Sequence, residues 1–202
     1  ESRSILFQSE EPYGQLPEIT ASSMILETYL KKVYDAPDRE GLLKQAQSVP
    51  LSDDALRRFE DYLNQNIPPF DAGMYRGVSV ERGASDRLTI LLHENSGKTV
   101  SLEQTSAGRR WYFTYYFMKN TLSQGDLFFI DEPAAMLHPI AQKTVLKELS
   151  ELARSGICVV YSTHSPYLIP DEWNCVHFVS MTDHGTAVVS ADTRGAFFDQ
   201  MK

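Results

Sequence analysis

The sequence predicts an α/β fold with a parallel sheet and a helical subdomain, and three stretches carry that prediction. The first is Leu127-Phe128-Phe129-Ile130-Asp131-Glu132-Pro133, four large apolar residues leading into two carboxylates. Apolar residues at consecutive positions suit a strand buried on both faces of a sheet. The second is a strand, helix, strand succession. Pro139 opens the helix, Val145, Leu146, Leu149, Leu152 and Ala153 recur at helical spacing, and Gly156 closes it before the strand Ile157 to Tyr161. Such a crossover is right-handed and joins parallel strands. The third is Leu102 to Trp111. A strand ends near Gln104, Ser106 caps, and a helix carries Trp111, Tyr112, Tyr115 and Met118 on its apolar side.

Each stretch also offers chemistry. Open α/β sheets place ligands at the carboxyl ends of their strands. There Asp131 can hold a magnesium-bound water and Glu132 can polarise an attacking water. A buried strand followed by an ordinary charged turn explains the same residues equally well. The crossover brings His164, within Ser162-Thr163-His164-Ser165-Pro166, to the edge that holds Asp131 and Glu132. A histidine there can donate to a phosphate oxygen or orient a water, and the alternative is a polar turn. Arg109 and Arg110 in a first helical turn oppose the helix dipole. An anion facing Ser106, the free backbone N–H groups and both guanidiniums would reverse that argument. A capped surface helix with solvated arginines stands as an equal reading.

In this order and spacing, the three stretches resemble the ATP-binding cassette (ABC) type ATPases, P-loop NTPase-like heads, and most closely their SMC, RecF and OLD branch. Ser106-Ala107-Gly108 is similar to the signature Ser-x-Gly, and Leu127 to Glu132 to the Walker B strand. Met136-Leu137-His138-Pro139 occupies the D-loop place, and Ser162 to Pro166 resembles the switch-histidine segment. The resemblance covers residues 86 to 180. Thr105 and Arg109 stand where transporters carry Leu and Gln, which argues against a transporter subunit. The resemblance implies Glu132 and His164 as catalytic, Asp131 as the Mg2+ residue, and Ser106, Ala107, Gly108 and Arg109 as ATP-binding. It implies an ATPase that joins a second head, in a homodimer or otherwise, through ATP. DNA or an effector nuclease would be further partners, and DNA processing or anti-phage defence the output. Residues 81–202 would form the C-terminal lobe of the ATPase, and residues 1–80 a mainly helical lead-in.

No Gly-x-x-x-x-Gly-Lys-Ser/Thr phosphate loop occurs in the sequence. The nearest candidate, Asn95-Ser96-Gly97-Lys98-Thr99, is led by Leu92 instead of glycine and runs into Thr99-Val100-Ser101-Leu102, which reads as a strand. With Arg87 to Leu92 before it, it reads as a hairpin turn. The expectation is therefore the C-terminal portion of a larger ATPase, with the phosphate loop in an N-terminal lobe outside this stretch. Alone, the 202 residues would neither bind ATP tightly nor hydrolyse it. A non-hydrolysing, ATPase-like scaffold is the competing reading.

Composition fits a cytoplasmic α/β body. The 202 residues are 42% hydrophobic, enough for one core, or for one core with a helical annex. No apolar run reaches the ~18 residues that a membrane span needs. A net charge of −8 gives no electrostatic footprint for nucleic acid. Cys158, in a buried strand, and Cys175 lack metal-ligand spacing and read as reduced structural residues, with a disulfide left open. In the first eighty residues, Ser4 to Phe7 reads as a short strand, and Met24 to Val33 and Asp38 to Gln47 as helices. Ser52 caps a helix bearing Leu56, Phe59, Tyr62 and Leu63 on one face, and Met74 to Val80 reads as a strand. Beyond the switch segment, Val176 to Val179 and Thr186 to Ser190 flank a turn at Asp183-His184-Gly185.

Overall fold

Three strands with their carboxyl ends aligned organise the site. The computed structural model describes residues 4–8, 22, 25, 26, 28, 29, 52–68, 73–82, 88–182 and 185–190. Strand β1 (Ser4–Gln8) pairs in parallel with β5 (Leu127–Asp131), which pairs in parallel with β6 (Cys158–Tyr161). Gln8 lies level with Asp131, and Ile130 with Tyr161. The connection from β5 to β6 runs through α3 (Pro139–Arg154), as the spacing predicts. His138 caps this helix, its Nδ1 accepting from the Ile140 N–H at 3.4 Å, and Pro139 stands in the first turn. Gly156, with φ of 89°, turns the chain out of it. A side chain there would meet the Gln124 side chain at 2.8 Å.

The sheet is covered less evenly than the apolar run predicts. Phe128 and Ile130 are fully buried, whereas Leu127 and Phe129 on the opposite face are half-buried. In β6 the same alternation leaves Val160 48% exposed and Cys158 exposed, so Cys158 is not in a buried strand. The reason is that α2 (Ala107–Lys119) and α3 both pack on the Phe128–Ile130 face. Both cysteines are free and exposed.

Helix α2 is apolar around most of its girth, which marks a helix enclosed on several sides. Trp111, Tyr112, Tyr115 and Met118 face the parallel sheet with Val145 and Leu149 of α3. Phe113 and Phe117 face the other way, into a second core. That core is built on the antiparallel sheet β2 (Tyr75–Arg82), β3 (Leu88–Glu94) and β4 (Thr99–Ser101), together with α1 (Asp53–Gln65). Ser52 caps α1 as its sequence predicts, accepting from Ala55 N–H at 3.2 Å, and Phe59 and Leu63 are buried. Asn64 fastens α1 to β2, donating to Val78 O at 2.7 Å and accepting from Val78 N–H at 2.8 Å. Ile25, Leu26 and Tyr29, helical as predicted for that segment, complete the core, which draws on residues either side of residue 80. The helix expected over residues 38–47 lies outside the described residues. Strands β7 (His177–Thr182) and β8 (Gly185–Ser190) form the expected hairpin, of which Asp183 and His184 are outside the described residues.

Residues 94–99 form the turn between β3 and β4. Glu94 N–H donates to Lys98 O at 2.8 Å, Gly97 N–H donates to Glu94 O at 3.0 Å, and Gly97 has φ of 89°. Strand β4, and not a helix, begins directly after Lys98, whose side chain is exposed. Lys98→Ala should therefore change stability by under ~0.5 kcal/mol in urea unfolding, as exposed turn substitutions do. A larger loss would mean that Lys98 holds the turn.

Candidate functional site

The chain leaves β5 under strain. Glu132 and Ala134 are both in the left-handed region, with φ of 46° and 58°. A non-glycine residue there costs about 1–3 kcal/mol and persists where its surroundings over-determine it. Ser162, the first residue after β6, supplies part of that determination. Its hydroxyl donates to Asp131 Oδ1 and accepts from the Glu132 N–H at 3.1 Å. Two residues on, the His164 N–H donates to Glu132 Oε2 at 3.2 Å, and its ring Nε2 lies 3.5 Å from Glu132 Oε1. Asp131 and His164 are exposed and Glu132 is half-buried. The two carboxylates and the histidine thus meet at the carboxyl ends of neighbouring parallel strands, where sheets of this type bind ligands.

Sequence reasoning assigned no role to Ser162 or Gln8. A hydroxyl one residue past a parallel strand, level with an acid on the next strand, is the signal for the first. The backbone of Gln8 stands beside Asp131 on the other side, a neighbour that only the pairing of β1 with β5 reveals.

Ser106 opens α2 as predicted, its Oγ accepting from the Arg109 N–H at 3.3 Å. Ser106 and Ala107 are exposed and Gly108 is buried. A Cβ on Gly108 would stand 2.6 Å from Met136 O, so the helix start rests directly on the backbone of the loop leaving β5. Ser106, Gly108, Arg109, Met136, His138 and Thr144 line a hollow between the starts of α2 and α3.

The two arginines differ. Arg110 turns back, donating to Glu103 O at 3.0 Å and Thr105 O at 2.6 Å, which gives it an intramolecular role that the sequence argument overlooked. Arg109 lies over the Tyr75 ring, 5.5 Å from its centroid, and its Nη2 is 3.1 Å from Met74 Sδ. Among the described residues, no hydrogen bond or ion pair joins Ser106 to Asp131, Glu132 or His164.

The donors at the end of β5 suit a hard cation. Among the described residues no group of three or more His, Cys, Asp and Glu could hold a metal. Magnesium is commonly held by one or two carboxylates, with water and substrate phosphate oxygens completing the shell. Exposed Asp131, beside the Ser162 hydroxyl, fits that pattern.

A family model described as "AAA domain, putative AbiEii toxin, Type IV TA system" matches residues 10–169. The chain belongs to this AAA-domain family. A curated relative, uncharacterized protein MJECL43 of Methanocaldococcus jannaschii, is 29% identical over 112 residues. The match spans 51% of this chain and 29% of the relative's length. Among solved structures, one from work on ATP-driven dimerization and DNA-stimulated activation of SMC ATPases superposes with a TM-score of 0.52 at 17% identity. It covers 74% of this chain and 97% of that one. An SMC head bound to the C-terminal winged-helix domain of ScpA gives a TM-score of 0.52 at 16% identity, over 91% of this chain and 53% of that one. These likenesses speak to fold alone: this AAA-domain chain has a P-loop ATPase-like fold similar to that of SMC heads. No helix among its described residues is long and apolar enough to cross a membrane.

Two measurements follow. Gly108→Ala drives a methyl into the Met136 carbonyl and should destabilise the protein by about 1–3 kcal/mol, the range for overpacking. Unchanged urea unfolding would show that the contact yields freely. The second concerns Tyr161, whose hydroxyl donates to Leu168 O at 2.6 Å and anchors the end of the His164 segment. Burial, with a smaller effect of Cys175, pushes this hydroxyl from 10.0 up to about 12. The folded state therefore keeps a proton that the unfolded chain releases near pH 10. Its contribution to stability is full below that pH and is lost as pH rises toward 12. Tyr161→Phe should flatten the fall of stability between pH 10 and 12, and an unaltered slope would contradict the assignment.

Proposed function

We propose that this chain is the signature, Walker B and switch portion of an ATP-hydrolysing head that pairs with a second head through ATP. The observation that carries the reading is the convergence of Asp131, Glu132 and His164 at one sheet edge. Glu132 acts as the base toward the attacking water, since its carboxylate is half-buried and accepts from the His164 backbone. His164, whose side chain is 98% exposed, contacts the terminal phosphate. Asp131 holds Mg2+, which when bound neutralises charge on the phosphate oxygens. Ser106, Ala107, Gly108 and Arg109 form the surface that meets the ATP carried by the opposite head, in a homodimer or with another ATPase. The phosphate-cradling loop comes from residues beyond these 202 or from another chain.

The output fits DNA processing or defence, the latter in keeping with the toxin–antitoxin wording of the family description. A second reading, an ATPase-like scaffold without turnover, draws on the missing phosphate loop. Glu132→Gln in the full-length protein separates the two. Glutamine keeps the shape but cannot take a proton, so turnover should fall roughly 10²-fold or more while ATP-bound dimer accumulates. Asp131→Asn should instead weaken the magnesium-dependent part of ATP binding. A wild-type protein that binds ATP without hydrolysing it supports the scaffold.

A further inference from the structure

Gln142 is the polar exception on the buried face of α3, spaced with Val145 and Leu149, which both pack into the core. It is 7% exposed, and burying an amide is unfavourable unless its donors and acceptor are met. None of its side-chain partners lies in its own helix. Its Nε2 donates to Ala134 O at 3.1 Å and to Leu137 O at 2.9 Å, and its Oε1 accepts from Ser165 Oγ at 2.5 Å. The amide orientation follows from the chemistry, since the two carbonyls can only accept. One side chain thus ties the loop leaving β5 to the segment leaving β6.

We propose that Gln142 is a positioning residue that keeps Glu132 and His164 in register with the loop beneath the Ser106 helix start. On one side, Ala134 is buried at φ of 58° and Met136 O supports Gly108. A shift of that loop by anything docking at Ser106 reaches Gln142 through the Ala134 and Leu137 carbonyls. On the other side, Ser165 directly follows His164, and its N–H donates to Thr163 Oγ1 at 3.0 Å. His164 in turn meets Glu132 through both its backbone and its ring. An apolar residue at 142 would fill the same space and leave the two loops free to move apart. The proposal rests on the ATPase reading and adds to it the residue through which the two nucleotide-facing edges of one head communicate.

The test is a mutant cycle in the full-length protein, with steady-state ATP hydrolysis and thermal unfolding measured for wild type, Gln142→Met, Ser165→Ala and the double variant. Methionine keeps the volume without the hydrogen bonds, and Ser165→Ala leaves both bonds to the loop carbonyls in place. Each single variant should lose roughly tenfold in kcat with KM for ATP within about twofold, because positioning acts on the reacting geometry and not on nucleotide affinity. The double variant should lose no more than Gln142→Met, because both changes break one connection. Wild-type kcat in either folded single variant would overturn the proposal. So would losses that multiply, or a rise in KM at constant kcat. Should Gln142→Met fail to fold, Ser165→Ala decides alone. A wild type without ATP turnover refutes the ATPase reading and this coupling together. Turnover that Glu132→Gln abolishes but both positioning variants retain refutes the coupling only.

Discussion

The burial of α2 on two sides is the constraint on which the remaining geometry depends. One flank of the helix closes the core under the parallel sheet, and the other closes the core on the antiparallel sheet. Trp111 and Tyr115 stack at 5.0 Å with planes 7° apart, and Tyr115 continues onto Phe128 of β5 at 6.5 Å. At the carboxyl end, Lys119 pairs with Glu148 of α3 at 2.8 Å, both side chains 14% exposed, and Tyr112 donates to the same carboxylate. Removing one partner of so enclosed a pair leaves an uncompensated charge, at a cost of about 3–5 kcal/mol in comparable cases. A helix held this way cannot slide, so its amino end is fixed against Met136.

That fixed end positions the Ser106 surface, and the strained exit from β5 positions Asp131 and Glu132. Glu132 and Ala134 take up left-handed backbone where the chain leaves β5, presents an exposed and a half-buried carboxylate and returns into α3 within seven residues. Ser162 satisfies the Glu132 N–H and orients Asp131, and Gln142 absorbs two carbonyls of the turn. The strain is thus offset by polar groups from β6 and α3. The elements that build the sheet also hold the acids in place.

Much of this was legible from residue types alone. The Asp-Glu end of an apolar run, the helix spacing from Val145 to Ala153 and the serine caps at positions 52 and 106 each follow from local rules that tertiary context left standing. Leu92 in place of a leading glycine, and the strand after Lys98, exposed the false phosphate loop for the same reason. What stayed hidden depends on contacts between distant segments. Leu127 and Phe129 look as buried as Phe128 in sequence, but both helices lie on one face of the sheet. Arg110 looked available to an anion until its turn back onto Glu103 O and Thr105 O was seen. Gln142 carries no sequence mark beyond a polar residue at an apolar helical position, a signal that is visible but does not name the partners.

The account stands on the claim that ATP and Mg2+ meet the Asp131–Glu132–His164 edge of one head and the Ser106 helix start of another. A structure of the full-length Glu132→Gln protein with ATP and Mg2+ tests it most directly. The account predicts the metal beside the Asp131 carboxylate, His164 at the terminal phosphate, and Ser106 of a second head on the opposite side of that phosphate. Nucleotide bound away from the ends of β5 and β6, or beside Ser106 of the same head, would contradict it.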